Sequence, residues 1–201
     1  MLFGPNHTGY GSNYSIMSQG IWQTPLGQTR INSLLAKDIL TGCKLLEEDA
    51  IAHTYEHSLE VELPFLQYFN PDFEIVPIVF MSDDITHLKE IGRQVAYTLK
   101  NIRDSCLIIA SSDMTHYENQ QEAEFKDKEA LKAILELDED ALIKKIRSLN
   151  ISMCGWAPVV AMLTAAKLLG AKKASLVRYD TSATVTHDTE NVVGYAGVMV
   201  Y

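Results

Sequence analysis

The chain has 201 residues, 47% of them hydrophobic and 21% charged, with a formal net charge of -9. That length fits one compact domain with a sizeable core, so residues 1–201 are read as a single domain. An acidic chain without a lysine-rich block repels a phosphate backbone, which argues against a nucleic-acid partner.

The predicted elements alternate. Met1–Phe3 is a short apolar strand, too brief to be comfortable and suggestive of sequence missing upstream. Ile31–Leu40 places Ile31, Leu34, Leu35 and Ile39 on one helical face. Glu74–Phe80 reads as a strand. Asp84–Leu99 is a second amphipathic helix, with Asp83 or Asp84 placed to cap it. Cys106–Ala110 is a strand, and Glu122–Leu137, Asp140–Leu149 and Pro158–Leu169 are helices, the last stopped by Gly170. Ala174–Tyr179 and Val192–Tyr201 close the chain as strands. Short apolar strands separated by helices predict an α/β fold, a mainly parallel central sheet flanked by helices on both faces. Polar residues follow three strand exits: Asn6-His7, Ser111-Ser112-Asp113 and Asp180-Thr181-Ser182. Ligands of open α/β sheets bind at such exits, so the three are expected on one pocket rim.

The start carries no basic segment with an apolar h-region, so no signal peptide is expected. No window approaches the ~18 apolar residues of a membrane helix. Three widely spaced cysteines (Cys43, Cys106, Cys154) without a CxxC pair argue against a disulfide framework or zinc ribbon and fit the cytoplasm. GxGxxG, Walker A, GxSxG and HExxH are all missing, so no nucleotide cofactor is expected.

Four segments hold the candidate chemistry. His7 lies in a glycine- and proline-punctuated loop; it can ligate a metal or act as a base, or be a turn histidine facing solvent. In Glu56-His57-Ser58-Leu59-Glu60, His57 and Glu60 are three apart and share a face if the segment is helical, with Pro64 ending or kinking that helix. They read as ligands, as an imidazole oriented by a carboxylate, or as a solvated face with Glu62. Asp113 and His116 are also three apart, a carboxylate beside a potential general base, or a turn cap beside an incidental histidine. Cys154 precedes a helix whose N-terminus favours thiolate, the form that ligates metal or attacks carbon; the plain alternative is a small buried hydrophobe. His187 and His53 read as loop residues and His87 as a solvent-facing helix residue.

Taken in order, Gly4-Pro5-Asn6-His7, Thr24-Pro25-Leu26-Gly27, Glu56-His57-Ser58-Leu59-Glu60, Ser111-Ser112-Asp113-x-x-His116, Cys154-Gly155 and Val193-Gly194-Tyr195-Ala196 resemble the Memo family over essentially the whole chain. That family comprises mediator of cell motility and prokaryotic relatives, including protein B of the AmmeMemoRadiSam system. The resemblance implies the fold of LigB-type extradiol dioxygenases. It implies one metal, Fe(II) first with copper or zinc as alternatives, on His7, His57 and Cys154, with His116 and Asp113 catalytic. Asn6, Glu60, Ser112 and His187 are expected to line or support the pocket. The family's usual upstream strand and Pro-His-Ala-Gly-Tyr loop have no counterpart here, and an uncovered sheet edge is expected from that.

Three functions follow. The first is a dioxygenase-like oxidoreductase acting on an aromatic small molecule. The second is a metal- or phosphopeptide-binding adaptor without turnover. The third is a hydrolase with Cys154 as nucleophile and His7 or His116 as base. Radical-SAM and AMMECR-type proteins are the partners that the resemblance implies.

Overall fold

A computed structural model of the chain describes residues 1–102 and 105–201. They form two compact units, one of residues 1–111 with 157–162 and one of residues 112–156 with 163–201.

In the first unit, β1 (Leu2–Pro5), β2 (Tyr14–Ile16), β3 (Ile21–Thr24), β4 (Gly27–Ile31), α1 (Ser33–Gly42), β5 (Glu47–Glu48), α2 (Leu63–Phe69), β6 (Glu74–Ile75), β7 (Pro77–Phe80), α3 (Ile85–Leu99) and β8 (Ile109–Ala110) follow in chain order. Five strands make a sheet in the order β5-β2-β7-β1-β8. β1 runs parallel to β7 and β8, and β2 parallel to β5; only β2 against β7 is antiparallel. The mostly parallel sheet of an α/β protein is therefore present. All four residues of β1 are buried, as suits an interior parallel strand. The two edges, β5 and β8, are each two residues long. Short edges offer little backbone for unwanted pairing.

Several elements of this unit depart from the predicted ones, among them the strand predicted over Cys106–Ala110, of which β8 takes only Ile109–Ala110. The run Glu74–Phe80 is not one strand. β6 joins a separate small sheet in the order β3-β4-β6, and β7 joins the main one. Pro77, which has no N–H to donate, stands where β7 begins, a position that tolerates proline. The hairpin β3–β4 was not predicted, because its residues are short and half-exposed; it turns at Thr24-Pro25-Leu26-Gly27, with Gly27 at φ 137°. The helix of residues 31–40 begins at Ser33, because the Asn32 side chain accepts from the Leu35 N–H at 2.9 Å and fixes the start there. Asp84 caps α3 through the His87 N–H, one of the two caps predicted.

The second unit contains β9 (His116–Glu118), α4 (Gln120–Leu135), α5 (Glu139–Ser148), part of α6 (Trp156–Leu169), β10 (Ala174–Thr181), α7 (Ala183–Thr186) and β11 (Val192–Val200). Its sheet, β10-β11-β9, is antiparallel throughout. The alternation of strand and helix did not suggest this. The link between β10 and β11 holds only a single helical turn, and a parallel return would need a crossover of a dozen or more residues. α4 packs on β10 and β11. Gly170 ends α6 in the left-handed region at φ 110°, the predicted stop. Among the described residues no helix is long and apolar enough to cross a membrane.

Candidate metal centre

The first cluster forms where β1 ends. Asn6 builds the loop that follows: its Oδ1 accepts from Thr8 N–H (3.0 Å), Thr8 O–H (2.8 Å) and Gly9 N–H (3.1 Å), and its Nδ2 donates to the Tyr10 carbonyl. This Asx-type arrangement holds the backbone on both sides of His7. Residues 58–59 dock on β1 from the other side. Ser58 donates its hydroxyl to the Pro5 carbonyl at 2.9 Å. The approach is close enough that a Cβ on Gly4 would lie 2.6 Å from both Leu59 Cδ2 and Ser58 Oγ.

Glu56 is the hub of this cluster. Its side chain is 1% exposed. Oε1 accepts from His7 Nδ1 (2.9 Å), His57 N–H (3.0 Å) and Ser58 N–H (2.8 Å), and Oε2 accepts from His7 N–H (2.5 Å). Burial pushes this carboxyl up, but the His7 and Ser58 hydrogen bonds outweigh it and hold the group below its ordinary value. The rings of His7 and His57 stack with centroids 4.6 Å apart and planes 16° from parallel.

The tautomer of His7 follows from its partner. A carboxylate only accepts, so Nδ1 carries the proton and Nε2 keeps its lone pair. That is how a carboxylate prepares a metal-binding imidazole. His7, Glu56 and His57 offer ligand atoms within 4.8 Å of one another. Glu56 already receives four donors, so it fits the role of holding the His7 imidazole and the His57 backbone better than that of ligand. The donor set left over, two imidazole nitrogens, suits iron, copper or zinc.

The expected helical face of His57 and Glu60 is not formed. His57 lies in a non-helical stretch, Glu60 opens a 3-10 turn (Glu60–Glu62), and α2 starts only at Leu63. Pro64 sits in the first turn of α2, where its missing N–H costs nothing; it marks the beginning of a helix and neither a kink nor an end. Glu60 is exposed. Glu56, quoted in the motif but given no role, does the work expected of Glu60.

The second cluster joins Asp113, His116 and Cys154, also within 4.8 Å. His116 Nδ1 meets the Ser152 carbonyl at 2.8 Å, so Nδ1 must donate and Nε2 holds the lone pair. Nε2 lies 3.5 Å from Asp113 Oδ2. His116 opens β9 and its backbone N–H donates to Ser152 Oγ at 2.7 Å, so the ring is fixed by sheet and loop together.

Cys154 Sγ accepts from the Asp113 N–H at 3.2 Å. Ser112 Oγ donates to the Asp113 carbonyl, accepts from Gly155 N–H at 2.8 Å and lies 4.0 Å from Sγ. The helix N-terminus was expected to favour thiolate. Burial instead pushes the Cys154 thiol up, with the Asp113 carboxylate adding to the rise and the Asp113 N–H opposing it.

The remaining expected residues lie elsewhere. His187 ends α7 in a left-handed turn at φ 60° and belongs to neither cluster. Asp180 is tied to Arg178, Thr184 and the Thr181 N–H, so the exit after β10 contributes to neither. His53, read as a loop residue, is buried.

A mostly parallel α/β sheet whose first strand exit presents a carboxylate-held histidine pair defines a protein with a candidate metal-binding site. Comparison with known proteins carries this further. A family model described as Memo-like protein matches residues 1–199. A MEMO1 family protein of Methanocaldococcus jannaschii is 44% identical over 204 residues, spanning 100% of this chain and 71% of that protein. One from Methanosarcina barkeri is 45% identical over 201 residues, spanning 100% and 75%. One from Methanopyrus kandleri is 38% identical over 200 residues, spanning 99% and 71%. The chain belongs to the Memo family.

Proposed function

We propose that this chain is a metal-dependent, dioxygenase-like oxidoreductase whose divalent metal, Fe(II) ahead of copper or zinc, is held through His7 and His57. The observation that carries the reading is Glu56, a buried carboxylate that accepts a hydrogen bond from His7 Nδ1–H and so leaves the Nε2 lone pair free for a metal. His7 and His57 would hold the metal, which when bound would supply Lewis-acid and oxygen-activating chemistry to an aromatic substrate. In the second unit, His116 is the acid–base group of this reading: Nε2 takes and returns the proton, because Nδ1 is committed to the Ser152 carbonyl. The family resemblance adds Cys154 as a ligand. On that reading Cys154→Ser loses metal as His57→Ala does; on histidine ligation alone it keeps it. Partners of the radical-SAM and AMMECR type are proposed from the same resemblance, and co-purification from the native host tests them.

The test of turnover is oxygen uptake by the iron-loaded chain with a panel of catechols. The expected result is uptake that His57→Ala abolishes together with metal binding. A metal-free His57→Ala variant that stays active would overturn the reading. A binding module without turnover is the second reading, favoured by one observation: Val61, Phe65, Tyr68 and Phe69 stand exposed on and beside α2. Exposed apolar residues grouped in this way mark interaction surfaces. Peptide affinity without oxygen uptake would select it.

A further inference from the structure

Among the described residues, four that are not glycine adopt left-handed backbone: Tyr117 at φ 57°, Leu137 at 54°, Asn150 at 50° and His187 at 60°. That region is costly for a bulky side chain and is tolerated by asparagine and histidine. Asn150 and His187 are therefore of the tolerant types. Leu137 is bulky, but it is buried in the core at 8% exposure, where packing offsets the strain. Tyr117 is both bulky and 77% exposed, so neither tolerance nor burial accounts for it.

The strain at Tyr117 is built by its surroundings. On β11 the adjacent residues Val192 and Val193 face Glu118 and His116 of β9, so Tyr117 is the extra residue of a β-bulge. Both flanks are pinned. The His116 N–H donates to Ser152 Oγ at 2.7 Å, and that hydroxyl returns a bond to the His116 carbonyl at 3.4 Å. Glu118 is paired with Lys126 Nζ at 2.7 Å. Strained residues persist where the structure around them over-determines their backbone, and they cluster at ligand sites. The bulge also re-aims the side chain. Neighbours on a regular strand point to opposite faces, but the Tyr117 ring stands beside that of His116, with centroids 5.8 Å apart and planes at 56°. An open aromatic face is thereby held next to the imidazole whose Nε2 lies 3.5 Å from Asp113 Oδ2. All of these residues belong to the second unit.

We infer that Tyr117 is the specificity-determining residue of the His116 site, an aromatic platform on which a flat, hydroxylated ring lies while its hydroxyl reaches His116 Nε2. The inference rests on the proposed role of His116 as the acid–base group. A π face recognises another flat ring by offset or edge-on packing, and a saturated ring bearing the same hydroxyls has no such face to offer.

The probes are catechol and trans-1,2-cyclohexanediol, which share adjacent hydroxyls and differ in flatness. They are titrated under nitrogen into the full chain after chelation, while the His116 ring signals are followed by NMR. Catechol is expected to shift them saturably and the diol to bind about tenfold more weakly, the factor that one aromatic pair carries. Tyr117→Phe keeps the platform and should keep the affinity. Tyr117→Gly and Tyr117→Asn both suit left-handed backbone and remove the ring. Each should lose about tenfold in catechol affinity and nothing in diol affinity, while its urea midpoint stays level with wild type or rises, because the exposed ring gives up no packing and the strain is relieved. A tyrosine kept only for structure would not weaken binding while leaving stability intact. Catechol affinity unchanged in both variants, no saturable His116 shift in the wild type, or a lower urea midpoint in both variants would each overturn the inference. The proposed function fails separately. Tyr117-dependent catechol binding without oxygen uptake by the iron-loaded chain would remove the oxidoreductase and leave the platform. Oxygen uptake equal in wild type and Tyr117→Gly at limiting catechol would keep the oxidoreductase and remove the platform.

Discussion

Replacing Glu56 with glutamine tests the hub at its centre, because it preserves shape and removes one acceptor and the charge. With its oxygen at the Oε1 position, glutamine still accepts from His7 Nδ1, His57 N–H and Ser58 N–H. Its amide NH2 then faces the His7 N–H, and two donors meet where a short charge-assisted bond stood. The flipped amide is worse, since it turns its NH2 toward three donors. A charge-assisted bond contributes ~1.5–3 kcal/mol and a stranded buried N–H costs ~1–3 kcal/mol. The variant should therefore lose about 2–3 kcal/mol of stability, which for a chain of this size lowers Tm by about 4–12 °C. Metal affinity should fall about 10–100-fold, as when the group behind a ligating histidine is removed. Urea unfolding followed by circular dichroism, with a chelator competition, reads both. The pH dependence sharpens the test. The folded carboxyl sits below its ordinary value of 4.5. Between the two values the unfolded chain binds more protons, so this stabilisation is complete above pH 4.5 and is lost as pH falls through the folded value. The gap between wild type and Glu56→Gln should narrow over that acidic range. A variant within about 0.5 kcal/mol of wild type at neutral pH, the scatter of an inert surface change, would refute the account of the hub.

Gly4→Ala should push the Ser58–Leu59 turn off β1, since the new Cβ falls 2.6 Å from both side chains. Overpacking of this kind costs ~1–3 kcal/mol, and because the same turn carries His57, metal affinity read by the chelator competition should fall with stability. Asp127→Asn should do little at neutral pH. Burial raises the Asp127 carboxyl above its ordinary 3.8, so the folded state binds more protons and stability falls as pH rises from there through the folded value. Asparagine can still accept from the Thr115 N–H (2.9 Å) and can donate to the Tyr179 oxygen. Urea unfolding should show its stability relative to wild type improving from acid to neutral pH; a constant gap would contradict the assignment.

The helices were legible because period and punctuation agree in them: Asp84 caps α3 and Gly170 stops α6 as read. The order of the site segments was legible too, and His7 and His57 do come together. The role of Glu56 was not. Neighbouring residues usually point apart, and only the approach of the Asn6–His7 loop brings His7 onto the same carboxylate as the His57 backbone. Glu60 looked better placed because a helix was assumed there. Pro64, which suits a first turn as well as a breaker, signalled the start of α2 and was read as kinking or ending a helix that held His57 and Glu60. His53 gave no signal at all: its burial depends on Trp22 from β3, a strand too short and too exposed to announce itself. The direction of the Cys154 shift was missed because burial acts against the helix terminus, and burial is not written in local sequence.

The central claim is that His7 and His57 hold a metal. Metal content of the anaerobically purified, untagged chain, measured by ICP-MS beside His57→Ala and Cys154→Ser, tests it most directly. The account predicts near-stoichiometric iron, or copper in its place, in the wild type and its loss in His57→Ala, with Cys154→Ser reporting on the thiolate. Equal metal content in wild type and His57→Ala, or none in a well-folded wild type, would contradict it.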